Sequence, residues 1–229
     1  MSGILTLVPT PIDEESSLEA GALALLQEAS QDLINNIILI EDMKPGRRRW
    51  IRWGLDRTAI DSFVLFNEHT QQDKLDEMVS LLSSGKNIFL LSDGGLPAFC
   101  DPGQKLVQRC HQSHIKVTAS QFCNSVSLAI ALSGFDCAQF FFAGFLDRDN
   151  DARRQRLIEL LKMNVPIVLM DTPYRLARLI DEIKENGTRR KLFVGLDLNS
   201  GDEELFVGSA SKLSSKIGKQ KREFILIID

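Results

Sequence analysis

Short apolar segments alternate with longer amphipathic segments along the chain of 229 residues. Residues 36–41 form a nearly continuous apolar run, which is typical of a strand buried on both faces of a sheet. Residues 18–29, in contrast, carry apolar side chains at helical spacing. The remaining strands are predicted at residues 4–8, 62–66, 87–91, 115–118, 139–143, 166–170, 191–196, 203–207 and 223–228.

The segments between these strands contain residues that start or stop helices. Gly134 directly follows an apolar segment and suits the C′ position of a helix, whereas Pro45 suits a first helical turn. Further helices are predicted at residues 45–54, 71–84, 104–112, 125–133, 151–163 and 174–186. This order predicts an α/β protein in two halves, an N-terminal α/β domain of residues 1–118 and a C-terminal α/β domain of residues 119–229.

The loop after the strand at 87–91 carries an unusual amount of turn chemistry, with the sequence SDGGLPAFCDPG over residues 92–103. Its two adjacent glycines let the main chain approach a ligand closely, and two prolines stiffen the loop on either side of Asp101. Ordinary connections of this kind take 2–6 residues. Because open α/β sheets bind ligands at the carboxyl ends of their strands, we predict a binding loop here.

The same loop resembles the SDAGTPxxSDPG loop of the tetrapyrrole methylase superfamily, and within it most closely the ribosomal RNA small-subunit methyltransferase I family. Six further segments resemble motifs of that family in the same order along the chain. They are LVPTPI (VATPIGN in the family), LIEDMK (AEDTR), NEHT (EHN), AGFLDRDNDARRQRL (GFLPRK…RRKRL), MDTPYRL (ESPHRL) and EFILII (the closing strand).

This resemblance implies a methyltransferase that uses S-adenosyl-L-methionine, built as two α/β domains with a cofactor cleft between them and usually forming a homodimer. Members of the family methylate a ribose 2′-hydroxyl of ribosomal RNA. Asp101 would bind the cofactor or, alternatively, cap the helix at 104–112. The cofactor-binding residues that the resemblance implies are Pro9, Ser92, Asp93, Gly94, Gly95, Pro97, Asp101, Ser125, Met170 and Asp171.

Methyl transfer to a hydroxyl group needs alignment of the reactants and benefits from a general base. The candidates for this base are Glu41 and Asp42, at the end of a buried strand, together with Glu68 and His69. Alternatively, one of the two strand-end acids caps the basic helix that follows and pairs with its arginines. His69 matches the family's EHN motif, but it also suits a helix start that Thr70 caps.

The segment RRRWIRW combines four arginines with both tryptophans of the chain. Arginine binds phosphate groups bidentately, and aromatic rings stack on bases. Arg47, Arg48 and Arg49 are therefore predicted to bind an RNA substrate. In the alternative interpretation, Trp50 and Trp53 pack on one buried face and the arginines are simply solvated.

Composition limits the remaining possibilities. A net charge of −4 argues against attraction of the whole surface to nucleic acid, so basic residues at 153–156 and lysines at 212–221 could add only local patches. No segment reaches the roughly 20 apolar residues that span a bilayer. The four cysteines form no CxxC pair, which favours reduced thiols in a cytoplasmic protein and no metal site.

Three departures from the family pattern leave the acceptor open. Acidic residues occupy 13–15 of the opening loop, and Leu96 and Cys100 replace a threonine and a serine in the signature loop. The family's GPSA turn is FCNS here, in which Ser125 remains as a ligand contact or a helix cap. The alternatives are a methyltransferase of a tetrapyrrole or another small molecule, and a non-catalytic module that binds S-adenosylmethionine.

Overall fold

The computed structural model describes residues 2–121, 124–217 and 221–229. The chain divides into two compact units, residues 1–122 (unit 1) and 123–229 (unit 2). Each unit contains a five-stranded sheet with helices packed on it, which confirms the prediction of two α/β domains. Phe122 and Cys123 of the FCNS turn, and Lys219 of the lysine segment, lie outside the described residues.

Unit 1 is built on an all-parallel sheet in the order β3-β2-β4-β1-β5. All five strands therefore end at the same edge, which is the edge where ligands bind in this kind of sheet. The strands are β1 Ile4–Val8, β2 Asn36–Ile40, β3 Val64–Leu65, β4 Asn87–Leu91 and β5 Lys116–Ala119. The helices are α1 Ala20–Ala29, α2 Met43–Arg52, α3 Gln71–Ser83 and α4 Gln104–Gln112, and residues Arg57–Ser62 form a 3₁₀ helix.

Both faces of this sheet are covered, because successive side chains of a strand point to opposite faces. Ile38 and Ile40 of β2 pack in one hydrophobic cluster with α1 and α2. Leu39, which lies between them, packs in a second cluster with α3 and α4. The apolar run predicted at 36–41 is thus buried on both sides, as its composition indicates.

Unit 2 has a mixed sheet in the order β6-β7-β10-β8-β9. β6 and β7 are parallel, and β10 runs antiparallel to both of its neighbours, β7 and β8. The strands are β6 Phe141–Phe145, β7 Ile167–Met170, β8 Leu192–Leu196, β9 Glu204–Gly208 and β10 Phe224–Ile228. The helices are α5 Ser125–Ser133, α6 Asn150–Leu161, α7 Leu176–Glu185 and α8 Ala210–Ile217.

A buried ion pair joins two helices of unit 2. Nε and Nη2 of Arg153 donate to the two carboxylate oxygens of Glu182 at 3.1 and 2.7 Å, and the side chains are only 2% and 4% exposed. Burial alone would raise the pKa of Glu182, but hydrogen bonds from Arg153 and Arg178 hold it below its usual value. Arg153 therefore belongs to the interior, and the second basic patch predicted from the sequence does not include it.

Several predicted boundaries were wrong for local reasons. α2 begins at Met43 rather than Pro45, because Asp42 caps it by accepting a hydrogen bond from the Lys44 amide. The strand predicted at 62–66 shrinks to β3, because the preceding residues form the 3₁₀ helix that Asp56 caps. α8 was not predicted.

Candidate active site

The opening loop and the signature loop of unit 1 are hydrogen-bonded to each other. The main-chain groups of Thr10 and Gly95 form two bonds, of 3.0 and 2.9 Å. The hydroxyl of Thr10 also donates to the Ser92 carbonyl at 3.0 Å, and the Ser92 hydroxyl donates to the Gly95 carbonyl at 2.9 Å. These contacts bring Pro9, which is buried next to Thr10, together with the start of the predicted cofactor loop.

Arg49 holds the opening loop in this position through hydrogen bonds to its main chain. Its guanidinium donates to the carbonyl of Pro11 at 2.7 Å and to that of Ile12 at 3.4 Å, and the residue is only 5% exposed. A Cβ added to Gly94 would lie 3.4 Å from the Ile12 oxygen and 3.6 Å from Arg49 Nη2, so Gly94 packs closely on the opening loop. Arg49 thus stabilises the two loops, and only Arg47 and Arg48 of the predicted RNA-binding arginines reach the surface.

Gly95 leaves its main chain accessible. It has a φ of +106°, and a Cβ added there would have no heavy atom within 4 Å. Hydrogen bonds to Thr10 hold its amide and carbonyl in place, so the backbone is ordered here while the space beside the Gly95 Cα is open. This is a suitable surface for close approach of a ligand.

The rest of the signature loop folds on itself. The Ala98 amide donates to the Pro102 carbonyl at 3.2 Å, and Ala98 and Cys100 both have positive φ angles, of 64° and 61°. α4 is preceded by Gly103, which has no side chain to cap it, so the alternative role of Asp101 as the helix cap was wrong. Asp101 is left half-buried within the loop.

Replacing Gly103 with alanine is expected to destabilise this loop. The residue has a φ of +121°, which is strained for any L side chain, and an added Cβ would lie 2.5 Å from Leu90 Cδ2. Strain of this kind costs about 1–3 kcal/mol. Thermal unfolding should show a lowered Tm for Gly103→Ala, whereas Gly201→Ala, where nothing lies within 4 Å, should leave the Tm nearly unchanged. Equal shifts for the two variants would contradict this interpretation.

Three carboxyl groups come together at the carboxyl edge of the unit 1 sheet. The Asp93 amide donates to Glu41 Oε2 at 3.3 Å. Burial, together with the charges of Glu41 and Asp42, raises the pKa of Asp93 to about 6. Burial, together with the charges of Glu41 and Asp93, raises the pKa of Asp101 to about 7. The cluster of Glu41, Asp93 and Asp101 (the carboxylate cluster) thus contains groups that exchange protons near neutral pH.

The other predicted base candidates have structural contacts. Asp42 is the exposed cap of α2, as the alternative interpretation proposed. His69 is also exposed, and its amide donates to Asn67 Oδ1 at 3.0 Å. Thr70 occupies the cap position of α3 but makes no capping bond, because its hydroxyl is engaged with Asn67 and the Leu65 carbonyl.

The acids at the strand end do not pair with the arginines of α2. Arg48 instead forms an ion pair with Glu14, and Arg52 forms one with Glu15. The acidic departure at residues 13–15 therefore has a structural function, since it neutralises part of the basic helix. Arg47 is exposed on the same helix.

Both tryptophans are internal. Trp50 is fully buried and its Nε1 donates to the Asp56 carbonyl at 2.7 Å. Trp53 is nearly buried and its Nε1 lies 3.4 Å from the Ser16 carbonyl. The packed interpretation of these side chains is confirmed, and they are unavailable for stacking on bases.

In unit 2, the end of β7 presents an unsatisfied acceptor. Asp171 is 4% exposed; its Oδ1 accepts from the Thr172 amide at 2.7 Å, and its buried Oδ2 has no hydrogen-bond partner among the described residues. Met170 packs in the same hydrophobic cluster as Val126 of α5. Ser125 is the first residue of α5, and Asn124 caps the helix by accepting a hydrogen bond from the Ser127 amide, so the proposed capping role of Ser125 was wrong.

Within the described residues, no group of three or more His, Cys, Asp or Glu side chains is arranged to hold a metal ion. None of the helices in that part of the chain is both long and apolar enough to cross a bilayer.

Comparison with known proteins agrees with this architecture. The family model of the Tetrapyrrole (Corrin/Porphyrin) Methylases matches residues 5–214. A ribosomal RNA small subunit methyltransferase I of Thermotoga maritima is 33% identical over 220 residues, covering 96% of this chain and 94% of that protein. The enzyme of the same name from Neisseria meningitidis serogroup B is 28% identical over 232 residues, covering the whole chain and 76% of its own length.

A solved structure shares the fold. The uroporphyrin-III C-methyltransferase of Thermus thermophilus, complexed with S-adenosyl homocysteine, superposes with a TM-score of 0.58 at 15% identity, covering 99% of this chain and 96% of that one. Membership of this family defines a methyltransferase that uses S-adenosylmethionine as its methyl donor. The chain belongs to the tetrapyrrole methylase family.

Proposed function

We propose that this methyltransferase acts on ribosomal RNA and transfers the methyl group to a ribose 2′-hydroxyl. The observation that carries the proposal is the 33% identity to the ribosomal RNA small subunit methyltransferase I of Thermotoga maritima, which extends over nearly the full length of both chains. The exposed Arg47 on α2 supports it, because an exposed guanidinium group can bind the phosphates of an RNA backbone.

The described residues fit the methyl donor in two respects. The main chain around Gly95 is ordered and bare, and Asp171 offers a buried carboxylate oxygen that lacks a donor. We assign cofactor binding to the loop of residues 92–97 with Pro9 and Asp101, and to Ser125, Met170 and Asp171 in unit 2. When bound, S-adenosylmethionine supplies a methyl group that its sulfonium centre has already activated.

The carboxylate cluster is our candidate for the general base. A hydroxyl group must lose its proton as it is methylated, and an acceptor whose pKa lies near the working pH does this best. The raised pKa of Asp101, about 7, meets this requirement. Glu41 would orient the loop through its bond to the Asp93 amide, while Asp42 and His69, exposed and engaged in local contacts, are secondary candidates.

Replacing Arg47 with alanine is expected to raise the KM for RNA and to reduce the slope of log KM against log salt by about 1, because each phosphate contact contributes about that much. Calorimetric affinity for S-adenosylmethionine should stay unchanged. Arg52→Ala is a suitable control, because Arg52 is already neutralised by Glu15. If Arg47→Ala weakened cofactor and RNA binding equally, the arginine would have a structural role instead.

The decisive test of the function is a transfer assay with radiolabelled methyl donor. The purified protein is incubated with small ribosomal subunits, with free small-subunit RNA and with uroporphyrinogen III. Label in the RNA, mapped to a 2′-O-methyl nucleotide by mass spectrometry, would support the proposal. Label in the tetrapyrrole alone would overturn it, and cofactor binding without transfer to any acceptor would indicate a non-catalytic module.

We further propose a homodimer in the cytoplasm. The three cysteines within the described residues, Cys100, Cys110 and Cys137, are free thiols, which agrees with a reducing compartment. Analytical ultracentrifugation would test the dimer directly, and a monomer at micromolar concentration would contradict it.

A further inference from the structure

Two large aromatic side chains are exposed at one edge of the unit 2 sheet. Phe145, the final residue of β6, is 51% exposed, and Tyr174, which follows β7 after Asp171-Thr172-Pro173, is 75% exposed. Phe145 is the register partner of Met170 across the two parallel strands, so both aromatic groups lie at the carboxyl ends of these strands. They therefore lie close in sequence and register to Asp171, whose buried Oδ2 accepts no hydrogen bond from any residue that the structure describes.

The backbone that carries these rings is tied together. Tyr174 lies in the 3₁₀ turn Pro173–Arg175. Arg175 Nη1 donates to the Asp147 carbonyl in the loop after β6 at 3.2 Å and lies 3.5 Å from Asp171 Oδ1. The two exposed rings are thus presented by segments that a shared arginine connects, which limits the entropy lost when a ligand binds.

The charges around Tyr174 are mixed. Lys221 Nζ lies 5.0 Å from the centroid of the tyrosine ring, and Arg148 is exposed in the loop after β6. Asp147 and Asp149 lie in the same loop, but their carboxylates accept hydrogen bonds from local amides. The two exposed rings, with the Lys221 ammonium group close to one of them, are therefore the groups at this edge that could bind a ligand.

We propose that Tyr174 and Phe145 form a stacking platform for unpaired bases of the RNA substrate. This inference rests on the proposed function, and it names the part of unit 2 that would hold the RNA. Aromatic rings stack on any base, and a neighbouring lysine can reach the phosphate between stacked nucleotides. Single-stranded RNA fits such a surface better than a duplex, whose bases are already stacked.

Kinetics of three variants test the platform. Tyr174→Ala should raise the KM for RNA about tenfold, because one lost stacking contact weakens binding by roughly 5- to 150-fold, while kcat and the Kd for S-adenosylmethionine stay within about twofold. Tyr174→Phe keeps the ring and should behave like the wild type. Leu205→Ala removes another exposed apolar side chain, 43% exposed on β9, and should leave the KM unchanged.

A spectroscopic measurement tests contact directly. The chain contains one tyrosine, so labelling with 3-fluorotyrosine gives a single ¹⁹F resonance that reports on Tyr174. Addition of a ten-residue oligocytidylate should shift this resonance, whereas an RNA duplex of the same length should shift it much less. Absence of a shift with the single strand would overturn the platform.

The outcomes separate the two proposals. If the wild type methylates ribosomal RNA but Tyr174→Ala retains the wild-type KM, the platform is refuted and the proposed function stands. If the wild type transfers no methyl group to RNA, the proposed function fails, and the platform as a substrate site fails with it. If Tyr174→Ala dissociates a homodimer without changing the KM for RNA, the surface is a subunit contact, which also overturns the platform.

Discussion

Replacing Glu182 with glutamine is expected to lower the free energy of unfolding by about 3–5 kcal/mol, because the change leaves a buried guanidinium without its counter-charge. Arg153 is only 2% exposed and has little access to water that could compensate. Glutamine keeps the size of the side chain, so the loss reports on charge rather than on packing. Urea unfolding monitored by circular dichroism would measure it.

Two further variants sharpen this prediction. Arg156→Met removes the exposed ion pair with Glu159, and such pairs contribute about 0–1 kcal/mol, so its effect should be small. The double variant Arg153→Met with Glu182→Leu removes both buried charges at once and should recover most of the stability. A double variant less stable than Glu182→Gln would contradict the view that the unpaired charge causes the loss.

Replacing Asp101 with asparagine is expected to stabilise unit 1 at alkaline pH and to slow methyl transfer. In the folded chain the pKa of Asp101 is raised to about 7, from an ordinary value of 3.8. The folded state therefore holds the proton more tightly, so this carboxyl destabilises the fold progressively as the pH rises from about 4 to about 7. Above that range the cost is complete, and asparagine never incurs it.

The stability test compares the Tm of Asp101→Asn and wild type at two pH values. The difference in Tm in favour of the variant should be larger at pH 8 than at pH 5. A difference that stays constant with pH would show that Asp101 carries no raised pKa.

Activity should change in the opposite direction. Loss of a general base slows a reaction by about 10²–10⁴-fold, and kcat of the wild type should rise with pH through an apparent pKa near 7 that the variant lacks. Because Asp101 is also assigned to cofactor binding, calorimetry with S-adenosyl homocysteine separates weakened cofactor binding from loss of the base, and kcat is compared at saturating cofactor. A variant with wild-type kcat would remove Asp101 from the candidate bases and leave Glu41, Asp42 and His69.

Much of the fold was predictable because local signals and tertiary contacts agree. The strand at 87–91 is an apolar run between polar residues, and the helix at 125–133 ends at Gly134, whose φ of +67° is the left-handed conformation that glycine favours. The helix at 104–112 also has its predicted bounds. In each of these elements, the residues that start or stop the strand or helix lie within a few positions of its end, so the bounds can be predicted from local sequence.

The features that the sequence did not reveal have weaker local signals. α8 is short, and three serines and two lysines leave it only three apolar residues, Ala210, Leu213 and Ile217. These residues are spaced as in a helix but are too few to stand out in the sequence, and they pack into the core of unit 2. Arg153 resembles any charged residue of an amphipathic helix. It is internal because it pairs with Glu182 of α7, which lies 29 positions further along the chain.

The sequence was enough to predict which loops form the candidate site. It was not enough to predict which carboxyl groups come together there or that their pKa values are raised. The glycines and prolines of residues 92–103 identify the binding loop from local sequence alone. The convergence of Glu41 with Asp93 and Asp101 depends on β2 and β4 being neighbours in the sheet, which no local pattern specifies. The raised pKa values therefore had no signal in the sequence, although they provide the strongest candidate for the base.

The position of β10 has a consequence for synthesis on the ribosome. This strand is buried in the middle of the unit 2 sheet, between β7 and β8, although it is encoded after both. Unit 1 is complete once residue 122 has emerged, and at roughly 5–20 residues per second it has several seconds to fold before β10 is made. Until then the nascent chain exposes two unpaired apolar strand edges, so unit 2 is the part that should depend on chaperones during translation.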